Sequence, residues 1–251
     1  MREAVIVSTA RTPIGKAFRG AFNDTQAQEM AGHAIAEAVK RSKVSKEEID
    51  DVIIGAAGQQ GSQQGNIARQ SLLRAGLPVS VAGMSLDRQC ASGMMAIATA
   101  AKEITEDGMT ITVGGGVESV SLVRNENFRM DRARDPWLEE NIPALYMTMI
   151  ETAENVAKRY GISREAQDEY SLQSQMRTAR AQQNGYMDKE IVPLKSTMKY
   201  KDKETGEISS HDVCIEKDEG NRPSTTFEGL SALKPVFKDG IYLKEGEYIT
   251  A

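Results

Sequence analysis

The chain has 251 residues, 40% hydrophobic and 27% charged, with a formal net charge of −5 at pH 7. That balance belongs to a folded globular protein and not to a disordered one, and the acidic excess argues against nucleic acid as a partner. Two cysteines far apart and two histidines, none at metal-ligand spacing, argue against a disulfide framework and a structural zinc site.

The first apolar run, "EAVIVSTA" from Glu3 to Ala10, reads as a buried strand that begins directly after Met1 and Arg2. No leader-type apolar region precedes it, and no run anywhere is long enough to cross a membrane. The expectation is a cytoplasmic chain in a reducing compartment, with no membrane partner. From Thr25 the period changes. Ala27, Met30, Ala31, Ala34, Ile35, Ala38 and Val39 recur at three- and four-residue spacing, which predicts one apolar face of a helix. Ser45-Lys46-Glu47-Glu48 is a capping box before a short helical turn. "DVIIGAA" (51–57) predicts a second buried strand. "NIARQSLLRAG" (66–76) predicts a helix with Ile67, Ser71, Leu72 and Ala75 inward and Gly76 closing it. "VAGMSLD" (81–87) and "MTITVGGG" (109–116) are further strands, separated by an Ala/Met/Ile-rich helix that should be buried on nearly every side.

Strand and helix thus alternate through residue 118, the pattern of a layered α/β architecture. The strands are apolar without alternation, so both sheet faces should be covered. After Glu118 the sequence turns polar and weakly periodic, and it holds the single tryptophan, Trp137. Two helices follow. One is "TAENVAKRYG", with Ala153, Val156, Ala157 and Tyr160 on one face. The other opens at Ser163 and closes at Asn184-Gly185. "STMKYKDKETGEISSHDVCIEK" then predicts a hairpin turning at Thr205-Gly206.

Cys90 stands where the third strand gives way to the Ala/Met/Ile-rich helix. A helix start leaves backbone N–H groups unpaired and carries partial positive charge, and both favour a thiolate, the nucleophilic form. A free cysteine is only a few per cent ionised at neutral pH, so such a setting matters. Ala91, Ser92 and Gly93 are small and would let a substrate approach the sulfur. The alternative is a core cysteine that happens to adjoin small residues. Cys214, in the alternating "DVCIEK", reads as structural. His33 and His211 have no motif context and read as structural or solvent-facing.

"DRQCASGMMAI" resembles the nucleophile motif of the thiolases, the CoA-dependent acyltransferases. The resemblance extends in order along nearly the whole chain: "VIVSTARTPIGKAFRGAF", "GNIARQSLLRAGLP" (with Ile67 where a proline is usual), "VGGGVESVS", "TAENVAKRYGISREAQDEYSLQSQ" and "NRPSTTFEGLSALKPVFKDG". It implies an α/β fold: a thiolase-like layered N-terminal domain (residues 1–118) with an inserted α+β loop domain (119–249). It implies a transferase acting on acyl-CoA, with coenzyme A as substrate and not as a covalently bound cofactor, working as a homo-oligomer, dimer or tetramer. Carried over by position, Cys90 is the acyl-accepting nucleophile and Arg222 in "NRPSTT" contacts the nucleotide part of CoA. Met149 lines the CoA cleft, although the surrounding "MTMIE" departs from the family's Met-Gly pattern. The family's Gly-His-Pro motif, its asparagine and its second cysteine are not found in this sequence. The chain stops at "YITA", where the family continues Gly-Asn-Ala-Ser. A piece of a longer enzyme, inactive alone, is therefore expected. Its alternatives are a non-catalytic acyl-CoA-binding or assembly module and another condensing enzyme of the same superfamily.

Overall fold

The computed structural model describes residues 2–250; Met1, which precedes the first run, and Ala251, which closes "YITA", lie outside the described residues. The chain folds as two compact units: residues 1–128 with 187–220, and residues 129–186 with 221–251.

The first unit is built on a parallel three-stranded sheet of β1 (Asp51–Gly55), β2 (Ala82–Leu86) and β3 (Thr112–Gly116), in the order β2-β1-β3. Asp51 pairs with Ala82 on one side and Thr112 on the other, so the strands run in step to Gly55, Leu86 and Gly116. Every residue of β1 is buried, whereas β2 and β3 are only partly covered. On one face Val52 and Ile54 meet Ile35 and Val39 of α1 (Ala27–Ser42) and Ile67, Ala68 and Leu72 of α2 (Ile67–Arg74). Apart from Ala68, these are inward positions the spacing predicts. On the other face Ile53 packs against Ala96 and Ala100 of α3 (Ser92–Thr105). At the far end of that face Glu103 is buried, with Oε2 lacking a hydrogen-bond partner among the described residues. Desolvation, then the charges of Asp51 and Asp107, push its carboxyl above the usual carboxylate range.

A single turn, α4 (Val120–Val123), follows β3. β4 (Leu194–Lys201) and β5 (Ile208–Ile215) form the expected antiparallel hairpin, with Gly206 at φ +76° in its turn. Leu194, Val213 and Ile215 pack on Ala21, Phe22 and Met30, and Thr25 and Asn23 bond Ser196 and Lys199. The hairpin therefore belongs to the first unit, although the sequence reading groups it with residues 119–249.

Two expectations fail here. Residues 3–10 form no ladder, and Val5, Ile6 and Val7 are 69–78% exposed. An apolar run becomes a strand only beside a free edge, and no strand of the described residues pairs with this one. The helix after Cys90 is not buried all round either. Ala96 and Ala100 are covered, but Met94 is 77% exposed and Ile97 is 48% exposed.

The second unit is helical: α5 (Pro136–Asn141), α6 (Met149–Tyr160), α7 (Arg164–Gln183) and α8 (Phe227–Ser231). Side chains cap the first three, Asp135 to Leu138 N, Thr148 to Glu151 N and Ser163 to Ala166 N. The buried stripe of α6 is Glu151, Glu154 and Ala157, while Val156 and Tyr160, expected on the inner face, are exposed. The carboxylates displace the apolar residues because they serve a later segment of the backbone. Glu151 accepts from the N–H of Ile241, Tyr242 and Leu243 at 2.6–3.0 Å. Glu154 accepts from Glu247, Tyr248 and Ile249. Six main-chain donors of a loop with little regular structure are thereby paired.

Candidate active site around Cys90

Cys90 lies in the tight turn between β2 and α3, and it is exposed. A buried core cysteine, the alternative the sequence left open, is thus excluded. The turn is built by short polar links. Asp87 Oδ1 accepts from the Gln89 N–H at 2.7 Å. Ala91 N–H donates to Arg88 O, and Ser92 N–H to Gln89 O, both at 3.1 Å. The helix has no capping side chain of the ordinary kind, since its N-cap is Ala91. Instead Ser92, inside the first turn and 4% exposed, reaches back: its Oγ accepts from Arg88 N–H at 2.8 Å and donates to Gln89 O at 2.6 Å. Gln89 itself has φ +50°, a left-handed backbone that residues other than glycine adopt at a penalty of about 1–3 kcal/mol.

The start of α3 rests on the sheet backbone to backbone. A Cβ added at Gly55, the last residue of β1, would lie 2.2 Å from the carbonyl carbon and oxygen of Ser92 and 2.6 Å from Gly93 N. One added at Gly116, the last residue of β3, would lie 2.9 Å from the Gly93 Cα. Glycines at both strand ends let the helix come this close. They fix the height of the Cys90 turn above the sheet. Next to it, Glu118 accepts from Ala57 N–H at 2.9 Å and from Gln63 Nε2 at 2.8 Å, and Gln63 Oε1 accepts from Ser119 N–H. This network ties the loop after β1 to the loop after β3.

The family model "Thiolase, N-terminal domain" matches residues 4–243, nearly the full sequence. The chain belongs to the thiolase family. It is 39% identical over 242 residues to a 3-ketoacyl-CoA thiolase of Bacillus subtilis, covering 94% of this chain and 60% of that protein. It is 38% identical over 253 residues to a beta-ketoadipyl-CoA thiolase of Acinetobacter baylyi, covering 95% and 61%. A peroxisomal 3-ketoacyl-CoA thiolase B of Mus musculus matches at 37%, with 95% and 54% covered. The crystal structure of the Bacillus anthracis acetyl-CoA acetyltransferase superposes with a TM-score of 0.76 at 36% identity, covering 96% of this chain and 60% of that one. The chain thus spans about 60% of the length of these bacterial thiolases, and the part it matches is the N-terminal domain of the thiolase fold.

The other residues singled out in the sequence lie in the second unit. Met149 is the first residue of α6 and is 80% exposed. Arg222 is exposed on a loop pinned to α7. Its N–H donates to Gln175 Oε1 at 2.8 Å, Asn221 Nδ2 bonds Gln175 twice at 2.9 Å, and Thr225 Oγ1 donates to Arg222 O at 2.7 Å. The acidic neighbours that could have absorbed its charge are committed to other groups. Asp218 pairs with Arg11 at 2.7 Å, and Glu219 takes the N–H groups of Lys16 and Ala21.

Neither histidine is hydrogen-bonded to Cys90. His33 Nε2 bonds Pro193 O at 3.0 Å, and His211 Nε2 bonds Ser209 Oγ at 2.9 Å with Tyr200 edge-on. Cys214 is exposed on β5 opposite Lys195 and belongs to no core cluster. Sequence reading missed Gln89 and the two glycines, and took Ser92 only as a small residue beside the sulfur. The one available signal was "GGG" at 114–116 beside "ASG" at 91–93, small residues at two element ends.

Proposed function

We propose that the chain is the nucleophile-bearing part of an acetyl-CoA acetyltransferase or 3-ketoacyl-CoA thiolase, with Cys90 carrying the acyl group. In the first half-reaction the Cys90 thiolate attacks the thioester carbonyl carbon. The carbon–CoA sulfur bond breaks, CoA leaves as its thiolate and takes a proton, and a new thioester joins the acyl group to Cys90. In the second, the α-carbon of another acyl-CoA loses a proton, attacks that carbonyl and releases Cys90, forming the carbon–carbon bond. Thiolysis is the reverse. The observation that carries this reading is the exposed Cys90 held on a strained turn at the start of α3.

The proton at the α-carbon needs a base, and the oxyanion needs donors. Neither histidine of this chain is hydrogen-bonded to Cys90, and we assign the acid and base to a C-terminal thiolase domain and expect residues 1–251 alone to be inactive. Within that scheme residues 1–118 form the core and 119–249 the loop domain, whose hairpin β4–β5 packs on the core. Arg222 and Met149 contact CoA, the whole enzyme is a dimer or tetramer, and it works in the cytoplasm. Histidines that do not bond Cys90 equally favour a second reading, an acyl-CoA-binding or assembly module without turnover.

Thiolysis of acetoacetyl-CoA separates the two. The 251-residue protein and the same sequence extended by a thiolase C-terminal domain are assayed together, with peptide mass spectrometry for acetyl on Cys90. Turnover at rates typical of enzymes, about 1–10³ per second, is expected from the extended protein only, with Cys90 acetylated. An extended Cys90→Ser variant that still turns over, or no acetyl on Cys90, overturns the nucleophile assignment.

A further inference from the structure

We infer that Ser92 is the positioning residue of the nucleophile turn: its hydroxyl holds Gln89 in the left-handed backbone that sets Cys90 at the start of α3. The inference rests on the nucleophile reading of Cys90 and adds the device that presents it.

Three observations carry it. Gln89 at φ +50° is one of six non-glycine residues with positive φ among the described residues, and it immediately precedes Cys90. Such a backbone persists only where its surroundings over-determine it, and an observed outlier of this kind at a reactive residue is a reason to look for what holds it. The Ser92 hydroxyl is that restraint. It is buried, it accepts from Arg88 N–H, and it donates to Gln89 O, so one oxygen bonds the residues on both sides of the 88–89 peptide. Ser92 cannot itself give way, because its backbone lies against Gly55 of the fully buried strand β1. The Asp87 bond to Gln89 N–H restrains the same residue from the strand side, but Asp87 is exposed, whereas Ser92 is not.

A hydroxyl is required for this. Alanine would leave Arg88 N–H without its protein acceptor and Gln89 O with one donor fewer, so nothing would tie the two residues together from the helix side. The turn would then relax toward negative φ at Gln89 and carry the Cys90 sulfur away from the helix end.

The test is alkylation of the 251-residue protein by iodoacetamide between pH 6 and 10, with rates for Cys90 and Cys214 read separately by peptide mass spectrometry and folding followed by circular dichroism. Ser92→Ala is expected to slow alkylation of Cys90 about tenfold at pH 7, the loss that corresponds to ~1.4 kcal/mol, and to leave Cys214 unchanged. Gln89→Gly accepts positive φ without strain, so Ser92→Ala made on that background should lose at most about threefold. If Ser92→Ala does not fold, the double variant decides: it is expected to fold and to alkylate at Cys90 close to the wild-type rate, and failure of both to fold overturns the inference. A Ser92→Ala protein that melts lower yet keeps the Cys90 profile shows that the hydroxyl only stabilises, which also overturns it. Wild-type Cys90 no faster than Cys214 at pH 7 is a different failure, that of the nucleophile reading itself.

Discussion

Replacing Gly55 by alanine tests whether the height of the Cys90 turn is set by backbone contact. The added methyl would sit 2.2 Å from the Ser92 backbone and 2.6 Å from Gly93 N. Non-bonded carbons rest at about 3.5–4.0 Å, so the start of α3 must lift by more than about 1 Å or β1 must bend. Neither partner is a side chain that can swing aside. Overpacking of a core ordinarily costs about 1–3 kcal/mol, and contact with helix backbone on one side of a fully buried strand puts Gly55→Ala at the upper end, about 3 kcal/mol. Gly115→Ala is the control in the same sheet, because its methyl would meet only Ile54 Cδ1 at 3.9 Å, an ordinary contact. That change should stay within about 0.5 kcal/mol of wild type. Urea denaturation followed by far-UV circular dichroism gives both numbers, and Cys90 alkylation on the folded proteins should slow for Gly55→Ala alone. Equal stabilities for the two variants would refute the argument, since the two methyls differ only in what they meet.

Two further outcomes follow from the second unit. Burial raises the Glu151 carboxyl, but hydrogen bonds from Tyr242, Ile241 and Leu243 outweigh it and hold the group below its ordinary value of 4.5. Its contribution is therefore complete above about pH 4.5 and is lost as pH falls through the lowered folded value. Glu151→Gln should unfold at lower urea than wild type at pH 7, with the gap narrowing as pH falls below about 4.5, and a gap that stays constant would exclude the carboxylate as its origin. Arg222→Ala, in the protein extended to a whole thiolase, should weaken CoA binding about tenfold by calorimetry, the loss expected for one phosphate contact of ~1.4 kcal/mol. An equal loss for pantetheine, which lacks the nucleotide phosphates, would reassign Arg222 to shaping its loop.

What the sequence could and could not reveal divides along a physical line. Side-chain periodicity exposed α1 and α2 because their cores are made by side chains: Ile35, Val39, Ile67 and Leu72 are buried where the spacing puts them. Capping at Ser163 and the turn at Gly206 were equally legible, since each is one residue type answering one backbone need. The run at Val5–Val7 misled because a strand depends on a partner edge that apolarity does not specify. The α6 stripe misled for a different reason. Glu151 and Glu154 are inward because six main-chain N–H groups of residues 241–249 require acceptors, and backbone demand leaves no trace in hydropathy. The same holds at Cys90. Its cysteine was visible in the motif, but the parts that hold it are a hydroxyl bonded to backbone and glycines whose contribution is the absence of a side chain. A site assembled from backbone contacts can be located by sequence, through its one reactive atom, while the geometry that makes that atom useful becomes readable only when distances are known. That asymmetry is why the decisive variants are Ser92→Ala and Gly55→Ala: each alters the support of the sulfur and leaves the cysteine itself unsubstituted.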